Sequence, residues 1–340
     1  MSDVLELTRR RNLADRNGRT LRRRRDVRIP PNVFGVSFGL AGLAESWHAT
    51  EPLLGVPQAV PNALSILAAS IWSFVLVAYL TQGPKRVLAD LRDPVLGPFV
   101  PVATITGMLL AAALGHYELG VGRALVVVFL VITIAIGGWL TGQWIAGDFD
   151  PGSMHPGYFL PTVAGGLVGA FSAAQVHLHA LAELSFGIGL TCWLLLGSVL
   201  LNRLFFQSSL PSPLVPTLAI ELAPPVVAGV AYTALTGAVS GPLALPLAGY
   251  AVLMAIVQLR FLPLYVRQRF GLGFWAFTFS YAAAATDALE WVTSKHPAGA
   301  AAYATVIIGS ISSLVLAIAI RTVVAVTRGQ FLPKSAPATP

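Results

Sequence analysis

The sequence predicts an all-α polytopic membrane protein that crosses the bilayer ten times. Three observations carry that expectation. Of 340 residues, 55% are apolar and only 11% charged, whereas ordinary soluble domains carry about a quarter charged residues, so the chain cannot present a water-facing surface for a globule of this size. Apolar windows of about 20 residues, the length that spans hydrocarbon, recur along almost the whole chain. Finally, the basic residues gather in alternate connections, as the topology of membrane proteins requires.

The first thirty residues carry Arg9, Arg10, Arg11, Arg16, Arg19, Arg22, Arg23, Arg24, Arg25 and Arg28 against four acids. Residues 1–31 read as a basic cytoplasmic tail that fixes topology and rests on anionic lipid. A nucleic-acid-binding arm would interleave aromatics with the arginines, and this tail does not. A secretory signal would place a cleavage site after the basic patch, whereas the apolar run after Arg28 continues as a full helix.

Ten spans follow in a membrane domain of residues 32–327: Val33 to Trp47, Asn62 to Leu80, Phe99 to Leu114, Leu125 to Ala146, Tyr158 to Ala174, Leu181 to Leu201, Val215 to Leu235, Leu243 to Leu262, Phe274 to Leu289 and Ala301 to Ala325. Short connections make neighbouring spans antiparallel hairpins, and residues 328–340 read as a short cytoplasmic C-terminal tail. With the N-terminus inside, the cytoplasmic set is the ten tail arginines and ten more bases: Lys85, Arg86, Arg92, Arg203, Arg260, Arg267, Arg269, Arg321, Arg328 and Lys334. That is 20 of the 22 basic residues, with only Arg123 and Lys295 outside. One missing crossing would invert every later loop. The distribution therefore predicts ten helices in the cell (inner) membrane with both termini cytoplasmic.

The spans differ by parity. Even spans read as plain lipid-facing helices. Odd ones are interrupted: the first by Gly35, Gly39 and Gly42, the third by Pro101 and Gly107, the fifth by Pro161, Gly165 and Gly166, and the seventh by Pro216, Pro224 and Pro225. A mid-helix proline frees a carbonyl that hydrocarbon cannot satisfy, so the broken helices belong inside protein or against water. Close packing through small residues is the competing account of the glycines. An inner ring of five such helices encloses a narrow conduit walled by backbone, small residues and phenyl rings. Exposed amides near the breaks give it a weak positive potential without a formal charge.

No Lys or Arg sits at mid-span, so a fixed cationic anion trap is not expected. Glu221, near the middle of the seventh span, cannot face lipid cheaply. It reads either as a group coupling or tuning the conduit or as a structural acid bracing the break, hydrogen-bonded to freed amides. Asp287 and Glu45 lie toward span ends and are expected to reach the headgroup region. The histidines fall mostly in loops, and His177-x-His179 with Glu183 is too sparse to assign a metal site. Cys192 has no partner, and no His-Glu-x-x-His, Walker A loop or dinucleotide fingerprint occurs on the spans. The sequence thus predicts no enzyme, cofactor, metal or nucleic-acid partner.

Three segments resemble one family. They are Phe34-Gly35-Val36-Ser37-Phe38-Gly39-Leu40-Ala41-Gly42-Leu43-Ala44, Pro216-Thr217-Leu218-Ala219-Ile220-Glu221-Leu222-Ala223-Pro224-Pro225, and Phe274-Trp275-Ala276-Phe277-Thr278-Phe279. Together they resemble the tellurite-resistance/dicarboxylate transporter family, which takes in bacterial TehA proteins and the plant slow-type anion channels. The likeness implies five helical hairpins in quasi-fivefold arrangement around a central pore, odd helices innermost, assembled as a homotrimer with one pore per subunit. It also implies a pore-plugging phenylalanine in the ninth helix, at Phe279 by motif position. Ser37 and Ser280 stand where many relatives carry proline, implying straighter first and ninth helices.

The expectation is a membrane anion channel or transporter that passes small inorganic or organic anions, compensated by backbone at the breaks and by Ser37, Thr217 and Thr278, with Phe279 as gate. A proton-coupled C4-dicarboxylate carrier using Glu221, and a tellurite or sulfite efflux permease, are the alternatives. A receptor without flux is a further one.

Overall fold

The computed structural model describes residues 28–147 and 150–332; the tail before Arg28 and Lys334 lie outside the described residues. Each apolar run forms helix: α1 Gly35–His48, α2 Ala59–Leu80, α4 Val102–Gly115, α5 Leu119–Ala146, α6 Gly165–Gln175, α7 His179–Phe206, α8 Ala223–Thr236, α9 Ala244–Val266, α10 Trp275–Lys295 and α11 Ala300–Thr327. Among the described residues there is no strand, and eight helical segments are long and apolar enough to cross a membrane. The other two, α1 and α10, are the most polar: α1 has only 14 residues and includes Glu45, and α10 carries Asp287, Glu290 and Lys295. The connection after α2 holds a further helix, α3 Pro84–Arg92, which sequence reading missed. Its Lys85, Arg86 and Leu88 are exposed, while its buried Asp90 accepts from the Tyr79 hydroxyl at 3.1 Å.

Burial follows the alternation that proline and glycine mark in the sequence. The segments containing α4, α6 and α8 have 78–89% of their residues buried, against 17–28% for α2, α5, α7, α9 and α11. The inner helices α1, α4, α6, α8 and α10 each pack on the next, and α10 returns to α1. Each of these five also packs on the helix that follows it, counting α2 as the partner of α1.

The prolines act differently from the kinks expected. They sit mainly at helix starts, where the missing N–H is an orphan in any case. Pro101 is the residue before α4; Pro224 and Pro225 lie in the first turn of α8; Pro161 lies in a π turn, Leu160–Ala164, that leads into α6. The leader of α8 is an eleven-residue 3₁₀ segment, Ser212–Leu222, with Pro216 inside it, far longer than the three or four residues usual for this helix type. Such irregular backbone needs partners inside the protein. Leu218 O accepts from Gln258 Nε2 of α9 at 3.0 Å, and Gln258 Oε1 accepts from the hydroxyls of Tyr265 at 2.7 Å and Tyr281 at 3.2 Å.

Glycines set the closest approaches. In α1, Gly35, Gly39 and Gly42 form one stripe against Trp275, Thr278 and Phe279 of α10; a Cβ on Gly39 would lie 2.6 Å from Thr278 Cβ. Ser46 extends the seam, donating to Ala282 O at 2.9 Å. A Cβ on Gly166 in α6 would meet backbone of α7, 2.5 Å from Gly189 N. Gly165 abuts Thr133 of α5 in the same way.

Gly166→Ala is therefore expected to separate α6 from α7 and cost ~1–3 kcal/mol, read as a drop of several degrees in the thermal midpoint of the purified protein. Gln258→Leu leaves three polar groups without their partner and is expected to cost about 1–3 kcal/mol by the same measurement.

Candidate functional site

The five inner helices all run in one direction, so their N-termini meet at one face of the ring. This is the face where α3, Arg203 and Arg267 lie, and the opposite face carries Glu51, Glu118 and Glu290. At the basic face a cavity of about 240 Å³ takes one residue from each helix start: Gly35, Phe99, Ala164, Ala223 and Trp275. The rest of its wall is largely apolar, including Phe38, Phe159 and Ile220. The positive ends of five helix dipoles thus point toward a space lined by no formally charged side chain, while the N–H groups of Gly35, Gly165, Ala223 and Trp275 pair with carbonyls of the turns that precede them.

The cavity ends at Phe279. Its ring stacks on Phe38 with centroids 3.6 Å apart and planes inclined by 14°, leaving no room for water or an ion between the rings. Across Phe279 lies a second cavity of about 30 Å³, lined among others by Gly42, Glu45, Phe171 and Thr286. A Cβ on Gly42 would come within 2.9 Å of Phe279 Cδ2, so the absent side chain makes the seat for that ring. Beyond it, two wider cavities of about 350 and 400 Å³ open at the acidic face, and Glu45 borders both. Phe279 borders the first two of these spaces and Glu45 the last three, the 30 Å³ space being common to both.

Of the residues singled out from sequence, Phe279, Gly42, Thr217 and Pro224 line these cavities. Thr217 donates to Leu214 O at 2.6 Å and keeps its oxygen beside the space. Ser37, Gly39 and Thr278 do not line them. Ser37 is fully buried and donates to Phe34 O, and Thr278 fills the groove over Gly39 while donating to Trp275 O at 2.7 Å. Pro101, Pro161, Gly165 and Pro225 shape helix starts behind the lining. Glu221 is buried, borders none of these cavities, lies within electrostatic reach of Tyr250 and Tyr265 of α9, and its Oε1 lacks the hydrogen bond expected from freed amides.

Three features differ from the sequence expectation or escape it. Asp287 and Glu45 do not reach outward to headgroups: Asp287 is buried with its carboxylate over Gly229, and Glu45 borders the axial passage. Phe38 carried no signal apart from its place in a family motif. His155, one of the loop histidines, is fully buried and braces the cavity wall. It stacks on Phe99, its Nδ1 accepts from Gly157 N at 3.1 Å, and Nε2–H is thereby left to donate to Val95 O at 3.2 Å. Among the described residues no group of three or more His, Cys, Asp or Glu side chains is placed to hold a metal ion.

Residues 28–326 match the family model described as voltage-dependent anion channel. The chain belongs to the voltage-dependent anion channel family. It is 29% identical over 314 residues to the tellurite resistance protein TehA homolog of Haemophilus influenzae, covering 90% of this chain and 93% of that one. It is 24% identical over 280 residues to the S-type anion channel SLAH2 of Arabidopsis thaliana, covering 78% of this chain and 53% of the plant protein. Membership of the anion channel family makes this a membrane channel or transporter for anions, and the family is not one of enzymes. The family resemblance drawn from the three sequence segments is the one these matches show.

Burial lowers His155 to a pKa of about 4, so the folded state favours the neutral ring. That stabilisation is complete above the unfolded value near 6.5 and is lost as pH falls through 4; it amounts to about 3 kcal/mol. The thermal midpoint of the wild type is expected to drop on acidification across this window, and His155→Gln to flatten the drop. An equal pH slope in the variant would contradict the assignment.

Proposed function

We propose that the chain passes small anions passively along the axis of the inner ring, with Phe279 as the gate. The reading takes the ten long helices as ten crossings, α1 and α10 included, arranged as five hairpins in quasi-fivefold order. The observation that carries it is the convergence of five helix N-termini on an enclosed space with no formal charge. Such a space attracts an anion through the positive ends of helix dipoles without holding it tightly, and a shallow well is what permeation needs. Thr217 and Ser280 add weak polar contact there.

An ion leaving that cavity meets the stacked rings of Phe38 and Phe279. A phenyl pair blocks by filling space and excluding water, so rotation of the Phe279 side chain controls flow. The positive-inside rule supports reading the basic face as cytoplasmic, in a cell membrane with both termini on the cytoplasmic side. The family likeness supports a homotrimer with one pore per subunit. Chloride, nitrate, sulfite, tellurite and C4-dicarboxylates are the cargo classes the family and its relatives suggest. A carrier in which Glu221 moves protons has less support, because that carboxyl borders none of the axial cavities.

Anion efflux from liposomes holding the purified protein tests the gate. Phe279→Ala is expected to raise the rate by tenfold or more and Phe38→Ala to raise it less, since a barrier difference of about 1.4 kcal/mol already gives a factor of ten. Unchanged flux in a folded Phe279→Ala protein would sink the assignment.

A further inference from the structure

Beyond the gate, the axial passage narrows to the 30 Å³ space between Phe279 and the acidic face, and one ionisable side chain borders it, that of Glu45. Glu45 also borders both wider cavities on the acidic face, so the passage leads past this carboxyl on leaving the gate. We propose that the charge on Glu45 sets the rate at which anions cross, slowing them when ionised and admitting them when protonated. The proposal rests on the reading of this series of cavities as the anion path.

The surroundings of Glu45 supply no compensating cation. α10 brings Asp287 and Glu290, and Glu290 borders the same wide cavity as Glu45 with one carboxylate oxygen unpaired. α1 itself brings His48, the turn after it Glu51, and the loop after α4 His116 and Tyr117. The cavity linings contributed by α2, α6 and α8 contain no titratable side chain; they bring Asn62, Gln175 and Thr233. The imidazoles of His48 and His116 lie 5.4 Å apart, and burial together with the His48 ring holds His116 below the usual histidine range. The two bases on this face are engaged elsewhere: Arg123 donates to Val176 O at 2.8 Å, and Lys295 sits over the Trp291 ring.

An anion in a space this small lies within a few ångströms of the Glu45 carboxylate, where repulsion is weakly screened. Protonation removes the repulsion and leaves a hydroxyl that can donate to the passing ion. The inner helix α1, with Glu45 as its one formally charged side chain, is then the element that carries the passage's own control.

The test is nitrate efflux from liposomes of the full-length protein, with equal pH on both sides so that insertion direction does not matter. Wild-type flux is expected to rise as pH falls from about 8 to about 5. Glu45→Gln should be faster than wild type at the high-pH end by roughly tenfold and lose most of the pH dependence. Glu45→Asp should retain the dependence, and Glu183→Gln, at an exposed position of α7 that lines none of these cavities, should behave as wild type. A folded Glu45→Gln protein with wild-type pH dependence, measured where Phe279→Ala does raise flux, would overturn the role of Glu45 and leave the gate standing. No effect of Phe279→Ala in the same assay would overturn both.

Discussion

Hydrocarbon offers no hydrogen bonds, and that single constraint organises the molecule. Helices that begin with 3₁₀ or π turns and prolines leave carbonyls and amides that lipid cannot satisfy. They are therefore sealed inside five regular helices whose outward faces are apolar. Gln258 shows how tight the requirement is: a buried amide on a lipid-facing helix is retained because it satisfies Leu218 O in the irregular leader of α8. The same enclosure that protects the irregular turns also groups the positive ends of the inner helices around one cavity. On the proposed reading, an anion-attracting space is a by-product of hiding broken helices from lipid.

This arrangement lets a channel family work without a cationic binding residue. A fixed Lys or Arg would hold an anion too strongly for rapid release, whereas partial charges at helix ends give a shallower well. In the proposed reading, resistance to flow falls on sterics, at the stacked Phe38 and Phe279, and on local charge, at Glu45. The glycine stripe of α1 serves both. Gly35 and Gly39 bring α1 onto α10, and Gly42 makes the seat in which the Phe279 ring lies.

Much of the fold was legible because hydropathy, basic-residue distribution and the alternation of broken spans are one-dimensional signals. Proline and glycine breaks marked four of the five inner helices, α1, α4, α6 and α8, whereas α10 carries neither residue. They did not say why, since proline in a membrane helix can kink it or start it, and only the placement of Pro101, Pro161 and Pro224 at helix starts decides. The lining was less legible. Ser37 and Thr278 have the right chemistry, yet a helix face is fixed by packing: Thr278 turns into the α1–α10 seam over Gly39, and Ser37 is buried against Phe34 O at the start of its own helix. Glu45 and Asp287 were misread as headgroup-facing because distance from a span end says nothing about radial direction. Phe38 and Gln258 had no signal in a single sequence, since their roles depend on partners more than 200 and 40 residues away.

The central claim is that helix ends, rather than charged side chains, hold anions on the axis. Anomalous scattering from a crystal of the protein soaked in bromide tests it most directly. The account predicts a bromide peak in the cavity bounded by Gly35, Ala223 and Trp275, beside Thr217 and on the basic side of Phe279. Bromide confined to surface arginines, with that cavity filled by lipid or side chains, would contradict it.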